Sequence, residues 1–73
     1  MSDPSPRSLG EALPAEMARV RDEVMPAYIS IGAPGAFALA GMRRDLDDAA
    51  RAMVDDDVVA MLRVFASLKE WHT

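Results

Sequence analysis

Apolar residues recur at three- and four-residue spacing along most of the chain, and this periodicity predicts helices. The longest such stretch runs from Leu39 to Trp71, and its one interruption is the acidic triplet Asp55, Asp56 and Asp57. A short polar break inside a helical pattern indicates two helices that fold back on each other. We therefore predict a C-terminal antiparallel helical hairpin with the aspartates at its turn. One carboxylate there can cap free N–H groups, and the others favour the positive end of the last helix.

The N-terminal half of the chain predicts one further helix, and prolines and glycines mark its limits. Pro14 suits a first helical turn, because the N–H group that proline lacks has no helical partner there. Pro26 lies inside the pattern, so the helix either kinks there or ends at Met25. The stretch Gly32-Ala33-Pro34-Gly35 predicts a glycine cap and then the start of the second helix.

The predicted helices differ in the width of their apolar faces. The first helix has a narrow stripe made of Leu13, Met17, Val20, Val24, Ala27, Tyr28 and Ile31. Its other side, which carries Glu16 and Arg19, is expected to be solvated. The second helix also has a narrow stripe, made of Leu39, Met42, Leu46, Ala49, Ala50 and Met53.

The apolar residues of the third helix cover an arc of about 180°, nearly twice what contact with one neighbour requires. They are Val58, Met61, Leu62, Val64, Phe65, Leu68 and Trp71. We therefore expect this helix to contact two partners, either the other two helices or one helix and a second chain.

Together these patterns predict an all-α single domain over residues 9–73, a small three-helix arrangement that ends in the hairpin. Residues 1–8 hold two prolines among small polar residues and predict a mobile lead-in. A domain of this size usually has a core that supplies only about 3–5 kcal/mol of stability. Because the sequence contains no cysteine, disulfides are excluded, and self-association is the remaining source of stabilisation.

Residue types that perform chemistry are scarce. The single histidine is His72, next to the end of the chain, where side chains are usually mobile and solvated. Three consecutive aspartates do not have the alternating ligands and central glycine of a calcium loop. The glycines match no phosphate-binding motif. The sequence therefore predicts no enzymatic activity, no cofactor and no metal.

The charge and the apolar runs exclude other classes of partner. The formal net charge is −4, so nucleic acid phosphates are repelled on average and direct nucleic acid binding is not expected. No apolar run approaches the ~20 residues of a membrane span, and Met1 to Leu9 does not resemble a signal peptide. We therefore expect a cytoplasmic protein without membrane contact.

Residues from about Leu9 to Trp71 also resemble a group of small uncharacterised proteins of bacterial and prophage genomes. The resemblance is carried by Arg19-Val20-Arg21, by Ile31-Gly32 with Gly35 and Phe37, and by Asp56-Asp57-Val58-Val59-Ala60-Met61. None of these segments is a catalytic motif, and no activity is assigned to the group. The resemblance implies an accessory protein of a phage or mobile element. In that group a glycine precedes the acid that opens the last helix, whereas this chain has Asp55 or Asp56.

The function that these observations favour is a non-catalytic protein–protein interaction module that self-associates as a dimer or other small oligomer; its protein partner is unidentified. The candidate contact residues are Met25, Phe37, Val64 and Trp71. Met25 lies off the apolar stripe of the first helix and should be partly exposed. Phe37 either folds back onto the end of the first helix, against Tyr28 and Ile31, or is an exposed aromatic anchor. Trp71 either closes the core or meets a partner.

An alternative function follows from the acidic residues. An acidic surface can occupy the nucleic-acid-binding groove of a host or phage protein, with its carboxylates in place of phosphates. The candidates for that role are Asp45, Asp48, Asp55, Asp56 and Asp57. Such an inhibitor is expected to bind its partner less tightly as the salt concentration rises.

Overall fold

The computed structural model describes residues 8–72, and every regular element in that range is helical. The α-helices are α1 (Leu9–Arg19), α2 (Met25–Ser30), α3 (Ala36–Val54) and α4 (Val58–Lys69). A π-helical turn, Val20–Val24, joins α1 to α2, and a 3-10 turn, Ala33–Gly35, precedes α3. Residues 9–30 thus form one continuous helical segment, and the prediction of an all-α fold with three principal helices is confirmed. The predicted lead-in over residues 1–8 lies, except for Ser8, outside the described residues.

The first helix begins earlier than predicted. It starts at Leu9, so Pro14 lies inside α1 and not in its first turn. Proline at this position deprives the Gly10 carbonyl group of its helical partner. Because Gly10 is exposed, water can hydrate that carbonyl group, and buried Leu13 holds this part of α1 against the core.

The helix also continues through Pro26, because the backbone changes to a π-helical turn just before it. The N–H group of Met25 donates to the carbonyl oxygen of Val20, five residues earlier. A regular α-helix would press the proline ring against the carbonyl group of Asp22, and the wider turn relieves that clash. The interpretation in which the helix stops at Met25 is therefore wrong.

The acidic triplet forms a tight turn at the place predicted for it. Asp56 has a positive φ of 54°, the left-handed conformation in which helices commonly end. The N–H groups of Asp56 and Asp57 donate to the carbonyl groups of Met53 and Ala52. Asp57 then caps α4, since its side chain accepts a hydrogen bond of 3.1 Å from the N–H group of Ala60. The predicted cap is confirmed, and the turn is tight without a glycine.

The core is built from one side of each helix. Within residues 8–72, ten hydrophobic residues are buried, namely Leu13, Val20, Val24, Leu39, Met42, Ala49, Ala52, Met61, Val64 and Leu68. Helix α4 packs against both α3 and α1, so its two neighbours lie within the chain. On α3 the buried stripe ends at Ala52, not at Met53 as predicted. The N–H group of Asp57 bonds directly to the Ala52 carbonyl group, and this backbone bond closes the end of α3.

Candidate interaction surface

Aliphatic side chains are exposed at one end of the molecule, around the turn between α3 and α4. The exposed fraction is 84% for Val54, 57% for Val58, 63% for Val59 and 55% for Leu62. We call these four residues the hairpin apolar surface. Because they flank a three-residue turn, they lie at the same end of the hairpin. Neighbouring exposed aliphatic groups of this kind commonly mark interaction sites.

This surface exists because the apolar arc of α4 is wider than its neighbours can cover. Helices α1 and α3 bury Met61, Val64 and Leu68 on one side of α4. The expectation that Val58 and Leu62 would also be buried is wrong for the single chain, since both side chains are more than half exposed. No other element of residues 8–72 lies over them.

At the opposite end of α4, a polar cluster joins the chain end to α3. The Oδ2 atom of Asp45 accepts hydrogen bonds from Ser67 Oγ at 2.6 Å and from the Trp71 indole Nε1 at 2.8 Å. Gly41 provides the space, because a Cβ atom there would lie 3.0 Å from Trp71 Cζ2. Gly41 contacts Trp71, and Asp45, which follows Gly41 on α3, contacts Ser67, which precedes Trp71. This reversed order is expected for an antiparallel hairpin.

The first helix also binds the end of the chain. Arg19 Nη2 donates to the carbonyl oxygens of Leu68 at 3.1 Å and Trp71 at 2.8 Å, and the same atom forms a salt bridge of 2.8 Å with Glu16. A cationic group at this position satisfies carbonyl groups that the end of a helix leaves free. The expectation that Arg19 is merely solvated is therefore wrong. Its spacing from Glu16 predicts their ion pair, but no local pattern reveals a partner about fifty residues away.

The last described residues are held in the same way. The Tyr28 hydroxyl group donates to the His72 carbonyl oxygen at 3.1 Å. The His72 side chain is exposed, as expected, but its backbone is bound to the first helix. Arg19, Tyr28 and Asp45 together fix the chain end against three different parts of the fold.

The four predicted contact residues occupy different environments, and the structure does not bring them together. Met25 is half-buried, and Trp71 is half-buried over Gly41, so it closes the core. Val64 is buried, and only its edge reaches the groove between α3 and α4. Phe37 is 92% exposed, so the interpretation in which it folds back onto the first helix is wrong.

The acidic residues do not form one free acidic face. The Asp45 carboxylate already binds two donors within the chain, and Asp57 caps α4. Asp48, Asp55 and Asp56 are exposed. Exposed arginines stand among these acids on α3 and α4, at positions Arg43, Arg44, Arg51 and Arg63. The surface there therefore carries both signs of charge.

A shallow groove of about 300 Å³ lies between α3 and α4, lined by Asp45, Asp48, Ala60, Arg63, Val64 and Ser67. It carries opposite charges on its two sides, from Asp48 and Arg63. Its Ser67 hydroxyl group is already bonded to Asp45. Within residues 8–72 no three His, Cys, Asp or Glu side chains are grouped so that they could hold a metal ion.

One exposed pair on the π-helical turn has shifted pKa values. Arg21 donates to the Asp22 carboxylate at 2.9 and 3.0 Å. These hydrogen bonds hold the pKa of Asp22 below its ordinary value, and they raise the pKa of Arg21. The pair is exposed and separate from the polar cluster, so it defines no site.

Comparison of the chain with protein-family models, with curated proteins and with solved structures finds no match. Among the described residues, no helix is both long enough and apolar enough to cross a membrane.

Proposed function

We propose that this chain is a non-catalytic protein–protein interaction module that self-associates through the hairpin apolar surface. The observation that supports the proposal is the exposure of four aliphatic side chains, Val54, Val58, Val59 and Leu62, each more than half accessible. Ten hydrophobic residues are buried in the described part of the chain, so these four represent a large share of aliphatic groups outside the core. Covering them removes apolar area from water without changing the fold.

The size of the surface sets the expected affinity. Full burial of one such side chain contributes about 1.5–3 kcal/mol, and the part still exposed ranges from 55% for Leu62 to 84% for Val54. A dimer covers the four side chains of both copies, so eight partial burials at about 1–2 kcal/mol each supply roughly 8–16 kcal/mol, from which a cost of association of about 4 kcal/mol or more must be subtracted. We expect a dissociation constant of about 10–100 µM for the self-associated form.

The acidic-inhibitor alternative has less support. Asp45 is engaged by Ser67 and Trp71, and exposed arginines stand among the remaining carboxylates. That function, like the phage or mobile-element role implied by the resemblance, stays a prediction.

Sedimentation equilibrium from about 1 µM to about 1 mM tests the proposal, since this range brackets the expected dissociation constant. The test variant is Leu62→Glu, which puts a charge on the proposed contact. The matched control is Ile29→Glu on α2, because Ile29 is 56% exposed and Leu62 is 55% exposed. We expect the wild-type chain and Ile29→Glu to associate, and Leu62→Glu to remain monomeric. A wild-type chain that is monomeric over the whole range contradicts the proposal.

A further inference from the structure

We infer that the hairpin apolar surface is covered by a second copy of the chain, with the two α4 helices packed antiparallel about a two-fold axis near Leu62. This inference rests on the proposed function and deepens it, since it names the partner and the orientation. A two-fold interface requires a surface that is complementary to itself.

The first step is the shape of the apolar stripe. Val58, Leu62 and Ala66 are exposed and stand four residues apart, so they lie along one side of α4 over about 12 Å. This side is separate from the side that faces the core. Leu62 stands at the midpoint of the stripe. Two such stripes can therefore pack on each other in either direction.

The second step is charge, which distinguishes the two directions. The exposed carboxylates of Asp55, Asp56 and Asp57 stand at the N-terminal end of α4, and exposed Lys69 stands at its C-terminal end. Lys69 follows Leu62 by seven residues, two helical turns, and so lies on the same side as the stripe. Asp57, the N-cap of α4, precedes Leu62 by five residues and Lys69 follows it by seven, so the two charged ends of α4 lie at comparable distances from Leu62.

In an antiparallel pair the three aspartates of each copy therefore lie beside Lys69 of the other copy. The two-fold axis repeats this contact, so the interface contains it twice. A parallel pair would bring aspartates against aspartates, and like charges at an interface are unfavourable. Antiparallel packing also sets the positive end of each α4 dipole near the negative end of its partner. Exposed Glu70 continues the four-residue spacing of the stripe after Ala66, so its carboxylate also stands at this end. Antiparallel packing brings the aspartates beside one lysine and one glutamate, whereas parallel packing brings three aspartates against three.

The third step is the end of the stripe near Lys69. The Nζ atom of Lys69 lies 5.3 Å from the centre of the Phe65 ring, and Phe65 is half-buried beside the stripe. The ammonium group is thus held over the edge of the apolar side by a cation–π contact. This position places the positive charge where the aspartates of an antiparallel partner would arrive.

Single cysteines test the orientation, because the wild-type chain contains none. A residue on the axis faces its own copy, so we expect Leu62→Cys to form a disulfide-linked dimer on oxidation. Val58→Cys should not link to itself, since its two copies would stand about 12 Å apart and a disulfide needs a Cα separation of about 4.4–6.8 Å. Ala66→Cys should behave in the same way. A mixture of Val58→Cys and Ala66→Cys should give a linked heterodimer.

A charge exchange tests the same orientation without a covalent bond. Lys69→Glu should raise the dissociation constant of the dimer by about tenfold or more, because it puts like charges together at both ends. The double variant Asp55→Lys with Lys69→Glu puts one opposite pair at each end but keeps Asp56 and Asp57, so it should recover part of the affinity that Lys69→Glu loses. Asp55 is the suitable acid, since Asp57 caps α4 and Asp56 adopts the left-handed conformation.

The outcomes separate this inference from the function on which it rests. Linkage of Val58→Cys to itself and of Ala66→Cys to itself indicates a parallel dimer and overturns the inference, although self-association survives. The inference is also overturned if Leu62→Glu abolishes association but the double variant Asp55→Lys with Lys69→Glu recovers none of the affinity that Lys69→Glu loses. Absence of self-association in the wild-type chain overturns both the inference and the proposed function.

Discussion

The hydrogen bonds of Asp45 are the polar contacts whose loss should be most damaging to the fold. In Asp45→Ala, the Ser67 hydroxyl group and the Trp71 indole N–H group lose a shared charged acceptor at 2.6 and 2.8 Å. Hydrogen bonds to charged groups contribute about 1.5–3 kcal/mol each. Because Asp45 is half-buried, water can partly replace the lost carboxylate as the hydrogen-bond acceptor in Asp45→Ala. We therefore expect the free energy of unfolding to fall by about 2–3 kcal/mol, a large part of the about 3–5 kcal/mol typical of such a core.

Urea unfolding measures this loss, followed both by circular dichroism at the helical band and by the fluorescence of Trp71, the one tryptophan of the chain. The matched control is Asp48→Ala, one turn along the same helix, where the carboxylate is exposed. Both substitutions gain the same helix propensity, so the difference between them isolates the two hydrogen bonds. All variants must be compared at one protein concentration, because self-association shifts the midpoint.

Two results would contradict this role of Asp45. In the first, Asp45→Ala and Asp48→Ala unfold within about 0.5 kcal/mol of each other, the usual range for surface substitutions. The second comes from a double-mutant cycle of Asp45→Ala with Trp71→Phe, which keeps an aromatic ring but removes the indole N–H group. We expect a coupling energy of about 1 kcal/mol between these residues, and a value near zero contradicts a direct contact.

Three further substitutions test other parts of the fold. Asp56→Gly should raise the free energy of unfolding by about 0.5–1 kcal/mol in a denaturant titration, since glycine adopts a positive φ without strain; a decrease contradicts this. Gly35→Ala should lower it by more than ~2 kcal/mol, because the new Cβ atom would overlap the Tyr28 carbonyl oxygen; an unchanged midpoint speaks against so close an approach. Arg21→Ala should return the pKa of Asp22 upward to its ordinary value, measured by NMR titration. In the wild type, the small stabilisation from this pair is present above the unfolded-state pKa of Asp22 and is lost as the pH falls through its lower folded-state pKa.

Local patterns in the sequence predicted the helices and the turns between them. Helical periodicity depends on spacing within a few residues, and the breaks at Gly32 and at the three aspartates depend on local backbone chemistry. For this reason the hairpin and the Asp57 cap agree with prediction. Prolines were the exception, since α1 contains Pro14 and the backbone passes Pro26 after a π-helical turn.

The candidate surface could be predicted only in part. The wide apolar arc of α4 indicated that this helix would contact two neighbours, either the other two helices or one helix and a second chain. Which residues these are depends on where α1 and α3 meet α4, and the structure buries Val64 while it exposes Val58 and Leu62. Phe37 was ambiguous for the same reason, because its environment depends on the angle at which the chain leaves the first helix.

Helical periodicity and polar breaks along the sequence thus determined an all-α chain with three principal helices and a C-terminal hairpin. Both properties depend on a few neighbouring residues. Tertiary structure alone decided the partners of Arg19, Tyr28 and Asp45, which bind groups between 22 and 52 residues away. It also decided which side of α4 remains uncovered. Contacts between distant residues depend on how the helices pack, and no local pattern of residues records that geometry.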